Sequence, residues 1–208
     1  MPIGVIIVIS LSIIIAVRIR SSRQKEATVK EDFWKRERDA NLATNRDISN
    51  LSYITIPLDK LPFDSCTSSI ELDNVNRIRD LSNKKLLNLN QKTNTQLKEE
   101  YGPRNLSALT EIGENFVQLE EALYCLGKAR YEEGDYEHAL SFLEYAASIK
   151  SGMNKNYTLL GDCYHALGQD RKIEHILEML PLLNLTMEDQ VREHLNELLF
   201  IHTTISGQ

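Results

Sequence analysis

Cysteine is scarce in this chain of 208 residues, with three, at Cys66, Cys125 and Cys163, and no CxxC spacing. An odd, scattered set argues against a disulfide framework and against a thiolate zinc site. Histidine is thin as well: the five residues are dispersed, His138 and His165 on repeat helices and His194 and His202 eight apart near the end, so they read as solvated or core side chains and not as ligands. Phosphate-cradling loops, dinucleotide-binding glycines, zinc spacings and nucleophile elbows are all missing. Carboxylate pairs such as Glu120-Glu121 and Glu132-Glu133 read as ordinary helix surface. The expectation is a protein without catalytic, cofactor-binding or metal-binding residues, and not an enzyme. Basic excess is also lacking: the formal charge is −6 and the pI about 5.4, which gives no electrostatic footprint for nucleic acid. Tryptophan occurs once, at Trp34.

Long apolar runs are absent too, with one exception. Residues Ile3 to Val17 are uncharged and almost wholly aliphatic, and Ile19 extends the run past Arg18. Seventeen residues span about 25 Å as a helix, short against a hydrocarbon core of about 30 Å, so Arg18 would snorkel. A cleaved signal peptide needs basic residues before the apolar run and a small-residue cleavage site after it. Here Arg18, Arg20, Arg23, Lys25 and Lys30 follow the run. The expectation is an uncleaved single-pass anchor over residues 1–19, contacting the lipid bilayer through residues 3–19, with the N-terminus outside and the remainder cytoplasmic by the positive-inside rule.

Residues 18–30 carry five basic side chains and Glu26, a net +4, which leaves −10 on residues 31–208. A basic collar and a charged juxtamembrane helix are expected over 20–47. Phe33 and Trp34 stand out there, and on a helix rising straight from a membrane Trp34 would stand about 20 Å away, which favours docking on a protein surface. Residues 48–69 hold Pro57 and Pro62 among β-branched and apolar residues and read as an extended linker, too apolar to be free. From Ile70 onward the spacing is helical. Ile70, Val75, Ile78 and Leu81 mark one helix, and Thr95 to Tyr101 another, closed by Gly102-Pro103. A long helix follows from Asn105 to Gly134, its apolar residues recurring at threes and fours.

Self-similarity appears within residues 120–187. With Glu120 and Asn154 as first positions, Leu126-Gly127 matches Leu160-Gly161, and Gly134 matches Gly168, at a period of 34 residues. Gly134 and Gly168 sit where a first helix must stop, and Asp135 can cap the next. The stretch Ala122-Leu-Tyr-Cys-Leu-Gly127 with Tyr131, Gly134-Asp-Tyr136, Ala139, Leu143 and Ala146 resembles a tetratricopeptide repeat, and Tyr157 to Leu177 is a weaker second copy. In length, anchor and repeat the chain also resembles small membrane-anchored uncharacterised repeat proteins of Gram-positive bacteria.

That resemblance implies an all-α fold: an N-terminal transmembrane helix and, over 70–208, a cytoplasmic solenoid of helix pairs. The repeats span about 120–153 and 154–187, with a capping helix at about 186–202. It further implies that a protein or peptide partner is held on a concave face lined by Glu121, Tyr124, Cys125, Lys128, Tyr131 and Glu132 of the first repeat. The second repeat would add Lys155, Thr158, Leu159, Asp162, His165 and Ala166. Tyr124, Lys128 and Leu159 stand where chaperone-tail binders carry a lysine and asparagine clamp, which sets that partner class aside. The expected function is a membrane-anchored adaptor or scaffold that recruits a protein; the alternative is a structural subunit of a membrane complex with no peptide groove.

Overall fold

The computed structural model describes Arg18, Glu26 and residues 28–206, and every regular element among them is a helix. They are α1 (residues 28–41), α2 (Ser69–Leu81), α3 (Asn94–Tyr101), α4 (Leu106–Glu132), α5 (Tyr136–Ser148), α6 (Asn154–Ala166), α7 (Asp170–Leu183) and α8 (Glu188–Ser206). The expected all-α class is therefore correct. The expected transmembrane helix is not: among the described residues no helix is long and apolar enough to cross a membrane. The long helices α4 and α8 interleave charged residues with apolar ones, and α1 is charged along most of its length. The apolar run 3–17 that carried the expectation lies outside the described residues, as does most of the basic collar. The fold class is corrected to an all-α chain with no membrane-spanning helix among its described elements.

The chain forms two compact units. The smaller joins the described residues up to Ile48 to Thr93–Leu106. Arg36 grips both carboxylate oxygens of Glu99, at 2.7 and 2.6 Å, while Glu37 accepts from Lys98 Nζ and, at 2.7 Å, from Thr95 Oγ1. Between these pairs, Ala40 and Leu97 are buried. Thr93 and Gln96 close a capping box on α3.

The larger unit holds the remaining helices. Ser68 and Glu71 form a capping box at the start of α2, whose inward face carries Val75, Ile78 and Leu81 at helical spacing. Pro57 and Pro62 keep the preceding chain out of a helix. Its apolar residues are used all the same: Ile56, Leu61 and Cys66 are buried, and the Ile54 amide donates to the Leu86 carbonyl at 2.9 Å. The 27 residues of α4 make it about 40 Å long. Leu109, Ile112, Phe116, Leu119, Leu123 and Leu126 line its buried face. Gly134, at φ +79°, lets the chain leave α4, and Asp135 accepts from the His138 amide to start α5. Proline does not end α7, which runs through Pro181 to Leu183 before Asn184 takes a left-handed conformation.

Two apolar clusters share α5. Phe142 and Ala146 face α2, α4 and the 56–66 chain; Ala139, Leu140 and Leu143 face α6, α7 and α8. Helix α6 in turn packs against α5, α7 and α8. The two helical glycines mark close approaches, but to different neighbours. A Cβ on Gly127 would lie 2.7 Å from two atoms of Leu143 in α5, whereas one on Gly161 would collide with Leu195 in α8. The spacing of 34 residues thus repeats in sequence without repeating its packing partner.

Gly127→Ala should lower the unfolding free energy by about 1–2 kcal/mol in urea titrations. Overpacking against the fully buried Leu143 outweighs the helix-propensity gain of about 1 kcal/mol. A variant more stable than the wild type would show that α5 yields at this point.

Candidate functional site

The residues expected to line a binding face come from α4 and α6, with α8 closing the same side. Tyr124, Lys128 and Tyr131 follow one another at steps of four and three along α4, so they form a stripe. The stripe lies at the edge of the buried face. Tyr124 and Tyr131 are half-buried against the α5–α8 cluster, and the Tyr131 ring lies 5.3 Å from that of Tyr136. Lys128 is exposed and pairs with Glu132 at 2.9 Å. On α6, the Asp162 carboxylate meets His194 Nε2 of α8 at 2.7 Å. Burial, and after it the charge of Asp162, raises the Tyr131 phenol above its usual range.

The other expected residues do not all join this group. Thr158 turns its hydroxyl back to the Lys155 carbonyl at 3.1 Å, and Lys155 is exposed. His165 is drawn to the start of α7, where its Nδ1 lies 3.3 Å from Asp170. Glu121 lines a different cleft of 530 Å³, with Leu89, Asn90, Gly113 and Val117. Tyr124, Lys128 and Tyr131 are thus neighbours along α4, while Asp162 pairs with His194, Glu121 lines another cleft and His165 meets Asp170. Sequence reasoning placed neither His194 against Asp162 nor Tyr136 against Tyr131. No sequence signal pairs His194 with Asp162, because the contact depends on how α8 crosses α6.

Two buried charges were also missed. Glu120, read from the sequence as helix surface, is 2% exposed and ties α4 to two loops. It accepts from Asn90 Nδ2 at 3.1 Å, from the Gly152 amide at 2.5 Å and from Ser151. The same loop is fastened twice more, by Asn88 Nδ2 to the Lys150 carbonyl at 2.7 Å and by Gln91 Nε2 to the Leu183 carbonyl at 3.1 Å. Burial raises the Glu120 carboxyl, and the three hydrogen bonds only partly offset it. Ten residues on, Arg130 is buried against Glu71. Its partner carried a legible signal, since Ser68-x-x-Glu71 before an apolar run is a capping-box pattern.

An apolar cleft lies elsewhere, between α5 and α7 with α6 as its floor. It has a volume of 330 Å³ and is lined by Ala147, Leu160, Ile176 and Met179. At its rim the Tyr164 hydroxyl donates to Glu144 at 2.7 Å, and Lys172 donates to the same oxygen at 3.0 Å. Among the described residues no group of three or more His, Cys, Asp or Glu side chains could hold a metal ion. Cys66, Cys125 and Cys163 are free thiols, and burial pushes the Cys163 thiol up to about 12. Comparison with protein-family models, with curated proteins and with solved structures finds no match.

Because the Glu120 carboxyl is raised in the folded chain, the native state holds that proton more tightly than the unfolded chain does. Its contribution to stability should fall as pH rises from 4.5 through its raised value. Glu120→Gln should flatten that part of the stability-against-pH curve, measured by urea titrations across the window. An unchanged slope would assign the dependence to other groups.

Proposed function

We propose that the helix pairs α4–α5 and α6–α7, with α8, form a protein-binding module of tetratricopeptide type, and that it takes a peptide segment along the α4–α6–α8 side. The observation that carries this reading is the Tyr124–Lys128–Tyr131 stripe, its tyrosines half-buried at the edge of the α5–α8 cluster and its lysine exposed. Aromatic side chains held half-buried have little rotamer entropy left to lose, and exposed charge beside them supplies orientation, the composition of interface hot spots. The 34-residue period of Gly127 and Gly161 supports the family assignment. The reading involves no catalytic step.

The competing reading is structural, in which the two tyrosines only complete the α5–α8 cluster. Their partial burial is what favours it. The two readings differ in what the exposed edge of the stripe does.

Affinity capture with the full chain, wild type against the double variant Tyr124→Ala with Lys128→Ala, separates them, provided circular dichroism of the two agrees. The binding reading expects a partner retained by the wild type and lost, at least tenfold, by the variant. The same partners on both would assign the stripe to packing.

A further inference from the structure

Two segments that carry lysines and no acid meet at the end of α5. Residues 82–92 hold Lys84, Lys85 and Lys92, and residues 147–157 hold Lys150 and Lys155, with no Asp or Glu in either, in a chain whose total charge is −6. Asn88 joins them, its Nδ2 donating to the Ile149 carbonyl at 3.3 Å and to the Lys150 carbonyl at 2.7 Å. Gln91 takes the Leu183 carbonyl at the end of α7 in the same way. Carbonyls that would repel an anion at these helix ends are therefore already covered by amide donors. Lys150 itself is left-handed, at φ +57°, a conformation that Gly134 and Gly168 hold just after α4 and α6. A lysine is strained there where glycine is not, so the backbone does not account for its presence. Its side chain is exposed and enters no ion pair among the described residues.

Lys150 lines a cleft of 580 Å³ whose apolar walls are Ile54, Leu87, Ile149 and Leu182. Lys92 also lines it and no carboxylate does, so the cleft is cationic. Ser148 lines both this cleft and the apolar cleft of 330 Å³ between α5 and α7. The two helices supply their residues in the same order. Glu144 stands with Lys172, Ser148 with Met179 further on, and Ile149 with Leu182 in the second cleft, so the two clefts follow one another along one groove. The far end is barred: Lys172 reaches from α7 to Glu144 of α5 at 3.0 Å, with its Nζ 4.9 Å from the centre of the Tyr164 ring. That bar also neutralises Glu144, the one carboxylate that lines the apolar cleft. Glu178, on the outer side of α7, is exposed and lies 3.7 Å from His175.

A groove that is apolar and barred at one end and cationic at the other selects a single chain with an anionic head. The bar stops a partner helix from lying along it, and an uncharged molecule would leave Lys150 without a partner. We propose that this groove binds a medium-chain carboxylate. The acyl chain lies against Leu160, Ile176 and Met179 with its methyl end at the Glu144–Lys172 bar, and the carboxylate meets Lys150, whose single charge it matches. Burial of the chain supplies affinity and the lysine fixes orientation, in a cleft within the range of about 300–1,000 Å³ that small-molecule sites occupy. This inference is independent of the peptide reading, which uses the α4–α6–α8 side.

Met179 lines the apolar cleft, and its methyl group serves as the reporter. The full chain, labelled at its methionine methyls, is titrated with decanoate by NMR, beside decanol and decyltrimethylammonium, all below the concentrations at which they form micelles. The expected result is a saturable shift of the Met179 signal, assigned through Met179→Leu, with the Met187 signal unmoved. Decanol and the cation should bind about tenfold more weakly or worse. Lys150→Glu should weaken decanoate by a similar factor and leave decanol unchanged, at unchanged circular dichroism. Equal affinity for decanoate and decanol would overturn the proposal, because the lysine would then select nothing. A Met179 signal that stays in place up to the micelle-forming concentration would overturn it too. So would a shift that appears only once micelles form, which would identify adsorption to a lipid surface.

Discussion

A buried ion pair fixes the larger unit. Glu71 divides its carboxylate between two tasks: one oxygen closes the α2 capping box, accepting from the Ser68 amide at 3.0 Å and its hydroxyl at 2.8 Å, and the other receives Arg130. Both side chains are almost fully buried, so each has lost its water. Burial alone would raise the Glu71 carboxyl; the Ser68, Arg130 and Thr67 hydrogen bonds outweigh it and hold the group below its usual range. Desolvated pairs are stable only where the remaining hydrogen-bonding positions are filled, which ties the pair to one geometry. Arg130 also reaches Glu133 at 3.1 Å, so the pair reports on the α4–α5 turn as well as on α2.

That geometry governs the candidate site. Arg130 stands next to Tyr131, and Glu120 stands one turn before Tyr124. The stripe is therefore bracketed by two buried charged groups whose partners lie on other segments. Rotation of α4 about its axis would break one set of hydrogen bonds or the other and leave a buried charge unpaired. The tyrosines sit at the edge of the core because these two groups hold the helix at that angle. Phe142 and Leu143, consecutive on α5, then carry the same orientation into both apolar clusters.

Much of the architecture is legible in the sequence because it depends on local rules. The periodicity of Leu109, Ile112, Phe116, Leu119 and Leu123 marks α4, Gly134-Asp135 marks its end, and the apolar content of Ile56 and Leu61 marks a segment that packs without being helical. What could not be read depends on encounters between distant segments. Glu120 looks like any surface glutamate until Asn90 and Gly152 are brought to it, and Asp162 has no reason to prefer His194 until α8 crosses at Gly161. The face implied by family resemblance was assembled only in part, since His165 is taken by Asp170 and Glu121 points to another cleft. The transmembrane reading rested on residues 3–17 and finds no spanning helix among the described elements.

The central claim is that the Glu71–Arg130 pair acts as one unit that holds α2 and α4 in register. A double-mutant cycle with Glu71→Gln, Arg130→Met and the pair combined, read by urea unfolding, tests it most directly. Each single variant leaves one buried partner uncompensated and should cost about 3–5 kcal/mol. The combined variant should cost well under their sum, with a coupling of about 1–3 kcal/mol. Costs that simply add would contradict the claim, since the two side chains would then be stabilising the fold separately.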